Sequence, residues 1–164
     1  MPCSGKKWIE ADRSGTLGQN VFFGTFQHTI DAKGRTSLPA KFREALASAG
    51  EPKIVLIRYP HWKAVSALPH SVWNDLRQRL VAASPLDPRA QRTILKFFSS
   101  AQEVDLDVHG RVLVPPALRE WAGLSKEVVW VGMGRTIHLW DQAAYEQSMG
   151  EEVPESELVD FFKA

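Results

Sequence analysis

The 164 residues are 44% hydrophobic and 24% charged, with a net charge of +1 and one cysteine, Cys3. That is the composition of an ordinary soluble globular chain. No apolar run approaches the roughly 20 residues a membrane span requires, and no apolar segment follows Lys6 and Lys7 to make a secretory signal. A lone cysteine closes no internal disulfide and, with only five histidines beside it, points to a reducing cytoplasm and no cysteine-based metal site.

In chain order, residues 1–20 lack any hydrophobic period and read as a disordered extension. Phe22, Gly24, Phe26, His28 and Ile30 then alternate with more polar neighbours, the period of a strand. Asp31-Ala32-Lys33-Gly34 reads as a turn, because Asp bonds its own backbone and glycine accepts positive φ. Arg35–Leu38 is expected to return as the second arm of a hairpin. Pro39 opens a helix over residues 40–48 that turns Phe42, Ala45 and Leu46 inward. Strands are expected over Lys53–Tyr59 and Trp62–Ala67. Two helical stripes follow: Ser71–Ala83 with Val72, Trp73, Leu76 and Leu80 on one face, and Arg89–Ser99 with Ala90, Ile94, Phe97 and Phe98. The pattern then restarts, with a strand over Glu103–Asp107, a return over Arg111–Val114 and a helix from Pro115-Pro116 to Gly123. A hairpin of Glu127–Met133 and Thr136–Trp140 follows, then a last helix near Ala143–Met149.

The restart is a true internal repeat. Asp31-Ala32-Lys33-Gly34-Arg35 through Pro39, Arg43 and Glu44 returns as Asp107-Val108-His109-Gly110-Arg111 through Pro115, Arg119 and Glu120, at a constant offset of 76. The six shared residues are charged or turn-forming, so shared hydrophobicity cannot account for them. A unit of about four short strands cannot cover its own sheet. The expected fold is therefore mainly β with short helices: a pseudo-twofold barrel closed by two intertwined hairpin-and-helix repeats. Its parts are an extension (1–20), repeat 1 (21–68), linking helices (69–100), repeat 2 (101–145) and an acidic tail (146–164). Charge is uneven along it. Residues 21–64 carry seven Lys and Arg against three acids, and residues 145–164 carry six acids against Lys163. The acidic end reads as a solvated tail.

The inventory argues against an enzyme. His28, His61, His70, His109 and His138 show no metal-ligand spacing, and no nucleophile motif or phosphate-cradling glycine loop is present. Gly132-Met133-Gly134 is an isolated G-x-G. Asp31 and Asp107 could form a carboxylate pair for a hydrolase, but each precedes an Arg by four residues and more simply fixes its turn. No cofactor and no metal are expected. A rigid turn with Lys33 at its tip and Arg35 just past it suits nucleic acid, since guanidinium groups reach phosphates or pair bidentately with guanine in the major groove. Lys41, Arg43 and Arg111 extend the cationic set, and Asp31, Gly34, Asp107 and Gly110 shape the turns. The first repeat, with Lys33, Lys41 and Arg43, should grip phosphate more strongly than the second, where Val108, His109 and Ala117 stand. Spacing alone leaves open that Arg35 and Arg111 pair with Asp31 and Asp107 and serve only the fold.

The two motifs, with Phe97-Phe98-Ser99-Ser100-Ala101 before the second and Leu139-Trp140-Asp141 after it, resemble the paired motifs of the bacterial MraZ family. That family belongs to the SpoVT-AbrB, swapped-hairpin superfamily of DNA-binding barrels, and the resemblance covers about residues 21–145. It implies a sequence-specific transcriptional regulator associated with the nucleoid. Such proteins act on double-stranded DNA at promoter repeats of the division and cell-wall gene cluster, from a closed homo-oligomeric ring. Lys33 and Arg35 would be the contacts, Arg35 foremost, with Arg111 its second-repeat counterpart. Here Phe23 stands where the family carries a basic residue. Residues 71–83 and the second-repeat strands are the expected subunit interface. The competing expectation is a protein-interaction barrel, antitoxin-like or scaffolding, whose turns bind protein rather than DNA.

Overall fold

The computed structural model describes residues 21–83 and 85–162; the extension expected over residues 1–20 lies outside them. Among the described residues eight strands and six helices follow in order. Repeat 1 supplies β1 (Thr25–Thr29), β2 (Arg35–Ser37), α1 (Ala40–Ser48), β3 (Lys53–Arg58) and β4 (Val65–Pro69). Then come α2 (His70–Val81) and α3 (Pro88–Ser100). Repeat 2 supplies β5 (Gln102–Asp105), β6 (Arg111–Leu113), α4 (Pro116–Ala122), β7 (Glu127–Gly132) and β8 (Ile137–Asp141), before α5 (Gln142–Met149) and α6 (Glu155–Phe162). Among the described residues no helix is long and apolar enough to cross a membrane.

The local signals place these elements. Pro39 caps α1 where its missing N–H costs nothing, and Pro116 opens α4 for the same reason. The Asp87 carboxylate accepts the Arg89 N–H at 2.9 Å and starts α3. On β1, Phe26 and His28 turn inward while Thr25, Gln27 and Thr29 stay exposed. β3 is buried on both faces from Ile54 to Ile57, with only Lys53 and Arg58 at its ends in solvent.

The pairing departs from the expected hairpins. β1 does not continue a ladder with β2; a single bridge, Ile30 to Thr36, joins the arms beyond the turn. β1 instead runs antiparallel to β7 of the other repeat, Thr25 facing Val131 and Thr29 facing Glu127. β5 does the same with β3, Lys53 facing Asp105. β2 and β6 pair with each other in a two-stranded ribbon, Thr36 facing Val112. A three-residue arm has little to gain from its own turn partner. By crossing, each repeat turns Thr36 or Val112 inward, where both are buried.

The larger sheet has six strands in the order β1-β7-β8-β4-β3-β5 and is not closed. The expected closed barrel is therefore corrected to an open sheet with the small ribbon as a separate piece. The crossing strands end as its two edges and do not meet each other. The order reads alike from either end, as edge strand, hairpin, hairpin, edge strand. At its middle β4 and β8 pair with Ser66 facing His138. A helix follows each hairpin: α2 lies on β3 and β4, and α5 on β7 and β8. So α2, expected as a linker, has a partner in the second repeat, and α3 is the unmatched connection.

One core joins both repeats. Phe22, Leu38, Phe42, Ile54, Leu56 and Val65 from the first meet Val112, Val114, Leu118, Trp130, Ile137 and Leu139 from the second, all at most 2% exposed. Phe42 stands edge-on to Phe22 and Phe26, with centroids at 5.6 and 5.1 Å. Each such side chain contributes roughly 1.5–3 kcal/mol by leaving water. A second, smaller cluster on the opposite sheet face seats Val72, Trp73, Leu76 and Phe97 over Val55, Ile57 and Leu68. The strand expected from Trp62 begins only at Val65. Residues 59–64 fold into a loop closed by Tyr59 N–H to Ala64 O at 3.0 Å, with Trp62 stacked on Tyr59. The acidic end, expected as plain tail, contains α6 with Glu155 and Glu157 in its first turn, where carboxylates favour the helix dipole.

Candidate nucleic-acid interface

The two motif turns are built alike, bond for bond. The Asp31 backbone carbonyl accepts the Gly34 N–H at 2.9 Å, and the Asp31 N–H donates to Arg35 O at 2.9 Å. Its Oδ1 accepts the N–H groups of Lys33 and Arg35, both at 2.9 Å, and its Oδ2 accepts Arg35 Nε–H at 2.8 Å. Asp107 repeats each contact with His109, Gly110 and Arg111 at 2.8 to 3.0 Å. The Arg35 backbone N–H, above all, holds the Asp31 carboxyl below its ordinary range, and the Arg111 N–H does so for Asp107. Each aspartate therefore fixes both its turn and the base of an arginine.

Only Nε of each guanidinium is engaged in this way. The Arg35 and Arg111 side chains remain about a third exposed, at 33% and 32%. The internal ion pair and an outward role are thus compatible: the aspartate holds Nε, and the side chain is still partly open to solvent. Side chains alternate across a strand. With Thr36 and Val112 facing the core, Arg35, Ser37, Arg111 and Leu113 share the outward face of the ribbon. Two motifs 76 residues apart thereby form one surface, with the exposed tips Ala32-Lys33 and Val108-His109 at its turns.

The turns are braced across the repeats. Leu38 N–H donates to Gly110 O at 3.0 Å and Val114 N–H to Gly34 O at 2.9 Å. Gly34 and Gly110 have φ of +86° and +74° and are buried. A Cβ on Gly34 would meet the Arg119 guanidinium at 2.7 Å, and one on Gly110 would run into Arg43. Both glycines are thus required by their left-handed backbone, and each has an arginine packed on it. Arg119 Nε–H also donates to Val114 O at 3.1 Å, whereas Arg43 Nε is buried without a hydrogen-bond partner. An open groove of about 920 Å³ runs beside the first turn, lined by Asp31, Arg119, Glu120 and Lys126 among others.

The expected site residues therefore fall into groups. Lys33, Arg35 and Arg111 belong to the ribbon and its first turn, and Asp31, Gly34, Asp107 and Gly110 shape the turns. Arg43 is not beside the first turn; it braces the second, where burial and then its charge hold His28 below its ordinary pKa. Lys41 is exposed on α1 and lies over the Phe23 ring, 3.5 Å from its centroid, a cation–π contact. Arg119 and Leu113 were not expected at the first turn. The repeated Arg-Glu was visible in the sequence, but not that it packs on the opposite copy.

Fold and surface together define a duplicated, mainly antiparallel β protein that presents one arginine-bearing two-stranded ribbon. The MraZ protein family model, described as antitoxin-like, matches residues 21–64 and 97–159. Proteins named "Transcriptional regulator MraZ" match over most of their length. That of Anaeromyxobacter dehalogenans (strain 2CP-C) is 73% identical over 143 residues, covering 87% of this chain and 99% of the relative. That of Delftia acidovorans is 39% identical over 138 residues, covering 82% and 94%. The chain belongs to the MraZ family.

Proposed function

We propose that the chain is a sequence-specific DNA-binding transcription regulator whose β2–β6 ribbon enters the major groove. The observation that carries this reading is the shared outward face of Arg35 and Arg111, each anchored through Nε with its side chain about a third exposed. A two-stranded ribbon fits the major groove, and an arginine fork pairs with the O6 and N7 edge of guanine. Anchoring by aspartate limits the rotamer freedom that binding would otherwise cost. Arg35 is the principal base-reading residue, Lys33 a phosphate contact and Arg111 a second cation on the same face. Lys41 is a peripheral contact, and Arg43 acts through the second turn. The relatives' name as transcriptional regulators supports the reading. The crossed ladders support a swapped-hairpin origin for the unit, with a sheet that stays open.

One ribbon offers few contacts, so specific binding requires several copies on neighbouring sites. The reading therefore includes a closed homo-oligomeric ring, action at promoter repeats of the division and cell-wall gene cluster, and a cytoplasmic, nucleoid-associated location. The competing reading, a protein-binding module, is favoured by the family's antitoxin-like description. Gel shift with DNA from upstream of the chain's own gene separates them. Specific retardation lost in Arg35→Ala, with the fold intact by circular dichroism, supports the regulator. Equal binding by both proteins, or none by either, counts against it. Sedimentation showing only monomer at micromolar concentration would remove the ring.

A further inference from the structure

The ribbon's outward face is not symmetric in chemistry. Arg35 has Leu113 as its cross-strand neighbour, whereas Arg111 has Ser37. Leu113 is 53% exposed and Val108, on the second turn, is 95% exposed. Their counterparts by the repeat are Ser37 and Ala32. Directly opposed residues in an antiparallel pair hold their Cβ atoms about 4.5–5.5 Å apart, so the Leu113 side chain stands beside that of Arg35. It belongs to neither hydrophobic cluster.

A leucine beside a base-reading arginine has one kind of partner in the major groove. It forms no hydrogen bonds, and the C5-methyl of thymine is the hydrocarbon group that the base-pair edges present there. Resting on the DNA-binding reading above, we propose that Leu113 determines specificity by packing on a thymine methyl next to the base contacted by Arg35. The half of the ribbon bearing Arg111 has a hydroxyl, from Ser37, in the equivalent place. The ribbon therefore reads thymine at one half only, and each subunit lies on the duplex in a fixed direction although its backbone is nearly twofold.

The test uses one duplex from upstream of the chain's own gene, prepared with thymine or with uracil in its place throughout. The two forms differ only in the methyl groups. The full chain should bind the uracil form about three- to fivefold more weakly for each thymine contacted. Leu113→Ala should bind both forms alike, near the affinity of the unaltered chain for the uracil form, and Leu113→Met should keep the preference. The site is exposed, so all three proteins should melt together. If the unaltered chain binds both forms equally while Arg35→Ala binds neither, the role of Leu113 falls and the ribbon reading stands. If Leu113→Ala still prefers thymine, the proposal is also wrong. If the unaltered chain retains neither duplex, or Arg35→Ala binds as tightly, the DNA reading itself fails and Leu113 has no such role.

Discussion

The Arg119 guanidinium lies across Gly34, a residue of the other repeat, so closely that a Cβ built there would stand 2.7 Å from it. The turn carrying Lys33 and Arg35 is therefore finished by the second half of the chain.

Gly34→Ala should lower stability through two separable effects. Left-handed backbone costs about 1–2 kcal/mol for a residue with a Cβ, and displacing the Arg119 guanidinium from its hydrogen bond to Val114 O adds about 0.5–1.5 kcal/mol. Gly123→Ala, with φ of +60° and open space around it, should show only the first. Urea denaturation midpoints of Gly34→Ala with and without Arg119→Ala measure the difference. No recovery in the double variant would mean that the arginine does not crowd the turn.

Lys33→Ala should weaken DNA binding on all sequences and reduce the slope of log K against log salt by about one for each phosphate that the lysine neutralises. His109→Ala, at the matching tip, should change that slope less than Lys33→Ala does. A salt titration followed by fluorescence anisotropy reads both. An unchanged slope in Lys33→Ala removes that residue from the interface.

His138 should make stability depend on pH. Burial lowers its pKa from 6.5 to about 4, so between those values the unfolded chain binds the proton and the folded chain does not. Its contribution is complete above pH 6.5 and is lost as pH falls toward 4, on the order of 2–3 kcal/mol. The ring faces Ser66 across the β4–β8 ladder and Tyr59 at 4.3 Å, and its Nδ1 has no hydrogen-bond partner among the described residues. His138→Gln should flatten the melting-temperature profile over that range. An unchanged profile would place the effect elsewhere.

Residues 21–69 alone should not fold. β1 and β2 take their ladders from β7 and β6, and Leu38 and Phe42 share one buried core with Val112 and Leu118. A one-repeat peptide should show no cooperative melt by circular dichroism, while the full chain melts in one transition. Independent melting of the half would contradict the single core.

The sequence made the elements and the repeat legible because their signals are local. Alternation at Phe26 and His28, proline before α1 and α4, and Asp with Gly at each motif turn all act within a few residues. Pairing was not legible. The same alternation suits β1 against β2 or against β7, and only the second leaves Thr36 and Val112 facing each other inside. The barrel expectation failed for that reason, since crossing strands end as sheet edges. At the site, the arginine-and-aspartate turns could be read from spacing, but the exchange of Arg43 and Arg119 could not. Leu113 looked like an ordinary strand residue until its partner was known to be Arg35.

The facing pairs Thr36 with Val112 and Ser66 with His138 carry a final consequence. In a dimer of identical chains, a residue on the twofold would confront itself, and any change would strike both sides at once. Joining the halves in one polypeptide lifts that constraint. One copy of each pair is free to drift while the other holds the ancestral contact, and inheritance then has two distinct tips to shape instead of one.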